Sequence, residues 1–191
     1  MKALFDTPMP PRIHALPKDE RGFPIPWNVL RDKNGKALFT VNDGAKHLHA
    51  LTGGLCPICG DPLGEDRWFV GGPASAFHPN GWYRDLPGHC ECVEFALAVC
   101  PYLAAKNYKA VSKDFSEVLP EGVVTRDYTQ DPNRPLVFVM VRFESMEVKA
   151  RNADDVFVRP RRPYLEVRYW SKGVRLSEEE GTRLANESMH R

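Results

Sequence analysis

Two short pairs of metal-ligating residues constrain this chain more than any other feature. Cys56 and Cys59 stand in Leu55-Cys56-Pro57-Ile58-Cys59-Gly60, His89 and Cys92 in Gly88-His89-Cys90-Glu91-Cys92, and together they spell C-x2-C-x29-H-x2-C. The first pair reads as a tight turn closed by Gly60, which lets two thiolates face one ion while backbone amides face the sulfurs. The second pair lies three residues apart at an expected helix start, where i and i+3 share a face. Four such donors complete a tetrahedral Cys3His site, so one structural zinc per chain is the expected cofactor, with no organic cofactor.

The neighbouring thiols fit that set less well. On a helix Cys90 lies about 200° around from Cys92, and Cys100 about 12 Å further along. Cys90 is then a spare thiol and Cys100 a small core residue. A redox role for Cys56 and Cys59 needs the first thiol at a helix N-terminus. Gly60-Asp61-Pro62 stops any helix there. His47 and His49 flank Leu48 and read as surface histidines.

The rest of the chain organises around this site. Seventeen prolines, clustered near both ends, demand irregular or strand-edge segments. The first 26 residues are expected to wrap the surface in extended form. Asp32-Lys33-Asn34-Gly35 is a hairpin turn between Trp27–Arg31 and Lys36–Val41. Asp43 caps a short helix with Ala45, Leu48 and Leu51 on one face, closed by Gly53-Gly54. Between the ligand pairs, Arg67–Val70 reads as a strand and Asn80-Gly81 as the turn of a second hairpin. Cys92, Phe95, Ala96 and Val99 form a helical stripe that ends near Pro101.

Knuckle, hairpin and ligand-bearing helix come in the order of a treble clef. Further on, Leu136–Val141 is short and β-branched like a strand buried on both faces, and Met146–Lys149, Asp155–Val158 and Tyr164–Trp170 are further strands. Ser177 and Glu180 form a capping box for a helix from Glu178 to about Glu187. The expected fold class is α+β: a treble-clef zinc module joined to a C-terminal antiparallel β-sheet with a terminal helix. A single domain, 1–191, holds an extended segment, hairpin and short helix (1–52), the zinc module (53–106) and the sheet with its helix (120–191).

Composition bounds the partners. Net charge is +1, so no global field draws the chain to nucleic acid. No run of about 18 apolar residues suggests a membrane span, and the first residues lack a secretory pattern. A soluble, cytoplasmic protein is expected; five cysteines at metal spacing also argue against a disulfide framework.

Arg21–Trp27, Cys56-x2-Cys59-Gly60 with Pro62-Leu63-Gly64, Phe69-Val70-x-Gly72-Pro73, His89-x2-Cys92-x2-Phe95-Ala96 and Cys100-Pro101-Tyr102-Leu103 resemble a family of bacterial and phage proteins without an assigned activity. The resemblance runs through most of the chain, including the Trp170-to-Glu180 segment. It implies the same zinc quartet and a bacterial or phage origin, and nothing about substrate. A looser similarity is to zinc-containing HNH endonucleases, which would make His78 the general base. Val93 and Glu94 follow Cys92 where such enzymes carry a further metal ligand, so the required magnesium ligand is missing from its place.

With all four ligand positions supplied by protein, the site reads as structural, and the chain as a macromolecular recognition or adaptor module more than an enzyme. Exposed Trp68, Trp82 and Tyr83 would serve a protein partner, which near-neutral charge favours. The alternative is nucleic acid on a strip of Arg151, Arg159, Arg161, Arg162 and Arg168 beside Tyr164, Tyr169 and Trp170. Within it Arg159, Arg161, Arg162 and Trp170 are the candidate binding residues. Glu144, Glu147, Asp154, Asp155 and Glu166 dilute that field.

Overall fold

A computed structural model describes residues 6–104, 135–150 and 156–190. Its elements are α1 (Pro11–His14), β1 (Val29–Arg31), β2 (Ala37–Asn42), α2 (Gly44–Gly53), β3 (Arg67–Gly71), α3 (Pro73–Phe77), β4 (Gly88–His89), α4 (Cys90–Val99), β5 (Phe138–Arg142), β6 (Met146–Ala150), β7 (Val156–Pro160), β8 (Glu166–Ser171), β9 (Val174–Arg175) and α5 (Glu178–Met189). This is a mixed α and β architecture with antiparallel sheets and a terminal helix. Arg151, Asp154, Asp155 and the stretch 105–134 lie outside the described residues, and with them part of the expected arginine strip and the start of the 120–191 segment.

Local chemistry explains several boundaries. The β1–β2 turn closes as expected, with Gly35 at φ +82° and the Asp32 carboxylate accepting the Asn34 and Lys36 N–H groups. Asp43 accepts the Lys46 N–H at the start of α2, and Gly54 ends that helix in the left-handed region. The Ser177 hydroxyl accepts the Glu180 N–H at the start of α5, which runs to Met189, two residues beyond the expected end.

The main sheet has the order β4-β3-β5-β8-β9, all neighbours antiparallel. It is therefore not confined to the C-terminal half: β3 and β4, the second of which carries His89, are hydrogen-bonded into the same sheet as β5, β8 and β9. The run Val139–Val141 is fully buried, as its β-branched composition requires of a central strand. Strand alternation then sorts the two faces. Trp68, Met140 and Trp170 share a cluster with Val93 and Leu97 of α4. Phe69, Val139, Val141 and Tyr169 point the other way, toward Ala50 of α2, Ala76 of α3 and Ala185 of α5. The sheet is thus the middle of three layers.

Three expectations are corrected here. Asn80-Gly81 is not a hairpin turn: Gly81 has no positive φ, and β3 is followed by α3 and a loop that returns to β4. Gly81 is required for a different reason, since a Cβ there would overlap the carbonyls of Ala74 and Ser75. On α2, His47 and Ala50 face inward while Leu48 is 40% exposed, so the inward face is turned by one residue from the apolar stripe expected. His47 is consequently a buried histidine; burial lowers its pKa below the ordinary value.

The N-terminal segment runs over the surface, with most of residues 6–26 exposed or half-buried, but α1 interrupts the extended course expected and a few side chains anchor it in the interior. Ile13, Phe23 and Ile25 are buried, because Ile13 and Phe23 pack on Cys56, Cys92, Phe95 and Val99. Ile13→Ala should leave a cavity next to the thiols and cost about 2–4 kcal/mol, read as a lowered urea midpoint with unchanged slope; a midpoint equal to wild type would show that residues 9–25 are not part of the cooperative core.

Candidate metal centre

Cys56 and Cys59 sit on a knuckle whose geometry is set by hydrogen bonding. The Gly60 N–H donates to the Cys56 carbonyl at 2.8 Å and the Cys56 N–H to the Asp61 carbonyl at 2.8 Å. Gly60 adopts φ +84°, and a Cβ there would lie 2.8 Å from the Trp27 ring. Both conformation and space therefore demand glycine. The N-terminal strand of chain holds the knuckle from outside, through the Trp27 N–H to the Ile58 carbonyl and the Asn28 N–H to the Pro57 carbonyl.

The second pair is arranged differently from expectation. His89 is not on the helix: it ends β4, paired with Arg67, and its backbone is extended at φ −65°, ψ 149° as the N-cap residue of α4. Cys92 follows in the first helical turn. Strand end and helix start together converge on the knuckle. Gly88 allows that approach, since a Cβ on it would lie 3.4 Å from the Cys56 sulfur and 3.0 Å from Val93.

The four donor atoms of Cys56, Cys59, His89 and Cys92 all lie within 4.8 Å of one another. His89 Nδ1 is 3.4 Å from the Cys59 sulfur and 3.9 Å from the Cys92 sulfur. A tetrahedral ion with bonds of about 2.3 Å to sulfur and 2.0 Å to nitrogen needs edges of about 3.5 Å between them. The spacing thus matches an ion of that size. His89 Nε2 lies 3.1 Å from the Pro62 carbonyl. Donation of a proton from Nε2 to that carbonyl fixes the tautomer and leaves the Nδ1 lone pair aimed at the sulfurs. The role of Pro62 has no signature in sequence, because only its backbone oxygen is used.

Proton sharing among the thiols has a definite direction. Cys56 is pulled down to about 5, first by the Cys92 thiol donating to it and then, against the cost of burial, by backbone N–H groups of Cys59, His89 and Ile58. Cys59 is pushed up to about 11, mainly by burial and then by the Cys56 charge. Cys92 is also held above its ordinary value because its proton is donated to Cys56. One thiolate is therefore favoured and further negative charge is not, until a cation supplies the compensating field. Cys56 and Cys92 are fully buried, which keeps water from providing it.

Neighbouring groups frame the cluster. Arg12 on α1 donates to Asp61 at 2.8 Å and Glu91 at 3.2 Å, tying the knuckle to the first turn of α4. Sequence reasoning missed this strap, because one arginine in a proline-rich segment carries no pattern. Cys90 turns away to Arg168, which donates to its sulfur at 3.0 Å and to Glu94 at 2.9 Å. It is outside the quartet, as is Cys100. Among the described residues no second group of three or more His, Cys, Asp or Glu is gathered in this way.

The candidate binding residues have other engagements. Arg159 donates to Glu147 at 2.7 Å and stacks on Trp82 at 4.6 Å. Arg162 donates to the Ala76 and His78 carbonyls, beside Tyr164, whose hydroxyl donates to Ala76; the pair closes the C-terminal end of α3. Arg161 is 64% exposed with Glu147 at 3.6 Å. Trp170 is buried with α4 and Trp68, so it is not a surface ring. Trp68 and Tyr83 are also interior, at 1% and 3% exposure, which leaves Trp82 alone of the three rings expected on the surface. His78 is exposed, and its Nδ1 accepts the Asn80 N–H.

Comparison with protein families, with curated proteins and with solved structures finds no match. The resemblances to the bacterial and phage family and to HNH modules therefore rest on the quoted motifs alone. No helix among the described residues is long and apolar enough to cross a membrane.

The thiol chemistry fixes the sign of a pH effect. Protons compete with a metal ion for these sulfurs, and Cys59 and Cys92 hold theirs more tightly than an ordinary thiol, so metal should be lost as pH falls and held as it rises. Metal content after dialysis between roughly pH 7 and pH 4 should drop to nothing; retention throughout would mean that these thiols are not the ligands.

Proposed function

We propose that Cys56, Cys59, His89 and Cys92 hold one zinc ion as the structural centre of a treble-clef module, and that the chain works as a macromolecular recognition or adaptor protein. The observation that carries this reading is the closed donor set. Three sulfurs and one imidazole nitrogen take all four corners at distances suited to zinc, a borderline-soft ion that prefers such ligands. Two of the sulfurs are fully buried, so no corner is open for a water molecule to be activated. Such an ion binds knuckle to helix, with binding free energy on the order of 10 kcal/mol appearing as folding free energy.

The element order supports the treble-clef assignment: knuckle at Cys56–Gly60, the antiparallel pair β3–β4, then α4. The connection between the two strands is longer than a hairpin and carries α3, which is an elaboration of that motif. A catalytic reading as an HNH-type nuclease with His78 as base is less well supported. His78 sits at the end of α3 with its ring nitrogen engaged by Asn80, and among the described residues no metal-binding group forms around it.

Native mass spectrometry of the untagged chain tests the metal. One zinc per chain should be retained, lost on acid denaturation and absent from Cys92→Ala, which should also melt well below wild type. A metal-free mass for the freshly purified wild type would overturn the assignment and return Cys56 and Cys59 to consideration as a redox pair.

A further inference from the structure

The quartet is closed in coordination but not evenly shielded. Cys56 and Cys92 are fully buried and His89 is 8% exposed, while Cys59 is only half-buried. Of the three sulfurs, Cys59 is therefore the one that solvent reaches. What stands beside it is light. Arg12 ties Asp61 to Glu91, and the Asp61 N–H faces the Cys59 sulfur. The charged side chains of that strap are 43–47% exposed, where ion pairs are weak and exchange readily with water.

The turn fixes which sulfur Cys59 can join. Cys56 lies three residues before it, in a knuckle closed by the Gly60 N–H on the Cys56 carbonyl at 2.8 Å, and the two sulfurs lie within 4.8 Å of each other. A tight turn brings its first and fourth Cα atoms within about 7 Å, a span that overlaps the reach of a disulfide. Cys92 is less free to move. It belongs to α4, which is packed between two hydrophobic clusters.

We propose that the zinc centre is also an oxidation switch, in which hydrogen peroxide enters at Cys59 past the Arg12 strap, Cys59 is joined to Cys56 as a disulfide, and the ion is released. The inference rests on the zinc reading and names its regulation. The Cys59 sulfur attacks one peroxide oxygen: an S–O bond forms, the O–O bond breaks, and the departing hydroxide takes up a proton as water. The Cys56 thiolate then attacks the Cys59 sulfur, so that the S–S bond forms and the second oxygen leaves with a further proton as water. Two thiolates, one peroxide and two protons become one disulfide and two waters, with two electrons passing from sulfur to oxygen. Cys92 and His89 remain, half the set that closes the site. The knuckle and α4 then lose their common anchor, while the backbone pairing of the main sheet is untouched.

Treatment of zinc-loaded full-length protein with a small excess of hydrogen peroxide, in the presence of a chromogenic zinc chelator, tests this. Zinc should stay bound without peroxide. With it, zinc release should keep step with the loss of two free thiols per chain, and peptide mass mapping should find Cys56 linked to Cys59. Dithiothreitol followed by added zinc should restore the original metal content. Cys90→Ser, which removes a thiol outside the quartet, should release zinc at the wild-type rate. Arg12→Ala should release it about two- to fivefold faster, the range that an exposed ion pair of ordinary strength allows.

Zinc retained while thiols are oxidised, a disulfide through Cys90 or Cys92 in place of Cys56, release that needs no peroxide, or an Arg12→Ala rate equal to wild type would overturn the proposal. Zinc content measured before peroxide is added separates the two readings. A zinc-replete protein that keeps its ion in peroxide refutes the switch and leaves the metal centre standing, whereas freshly purified protein without zinc refutes the centre itself.

Discussion

Convergence of three thiols and an imidazole within 4.8 Å of one another, two of the thiols fully buried, is the constraint around which the rest of this structure is arranged. Such donors are poor neighbours for one another unless a cation is present, because each added thiolate raises the cost of the next. The sharing of one proton deficit between Cys56 and Cys92 shows how far the bare cluster goes in relieving that cost. Among the described residues, knuckle, strand end and helix start meet here. With the helix pinned there, Val93 and Leu97 are delivered onto Trp68, Met140 and Trp170, and one face of the main sheet is closed. The opposite side of α4 packs on Ile13, Phe23 and the cysteines themselves. A metal centre here is thus continuous with two hydrophobic clusters and not an ornament on the surface.

The main sheet explains why this site and the C-terminal half form one body. β5 lies between β3, from the half that carries the Cys3His cluster, and β8, from the other, with unbroken antiparallel registers on both sides. Separating them would break both ladders of β5 and expose the fully buried Val139–Val141 run, so the two segments are held together by the central strand. The ribbon of β6 and β7 joins the same body through Val158, which is fully buried in the main core, and Met146, which packs against it, and through the backbone bonds between Val158 and Tyr83.

Arginine has an unusual share in this organisation. Arg12 spans Asp61 and Glu91, Arg162 closes the end of α3, Arg168 stacks on Trp68 while meeting Cys90, Glu94 and Glu166, and Arg159 joins Glu147 to Trp82. Arg159, Arg162 and Arg168 use the flat guanidinium twice, through its edge for hydrogen bonds and through its face for a ring. Counting arginines as a charged strip therefore overstates the charge available for binding.

Much of the fold could be read from local chemistry. The Asp32–Gly35 turn, the Asp43 and Ser177 caps, the buried character of residues 139–141 and the ligand quartet depend on interactions a few residues apart or on spacing peculiar to metal sites. The sequence by itself determined the donor set, the caps and the strand candidates, because residue type and short-range period carry that information. Tertiary structure alone decided that His89 ends a strand, that β3 and β4 join the C-terminal strands, that Trp68, Tyr83, Trp170 and His47 are interior, and that Trp82 finds Arg159. Those outcomes turn on which distant backbone lies alongside, and an aromatic ring or an arginine looks the same in sequence whether it meets water or a partner tens of residues away.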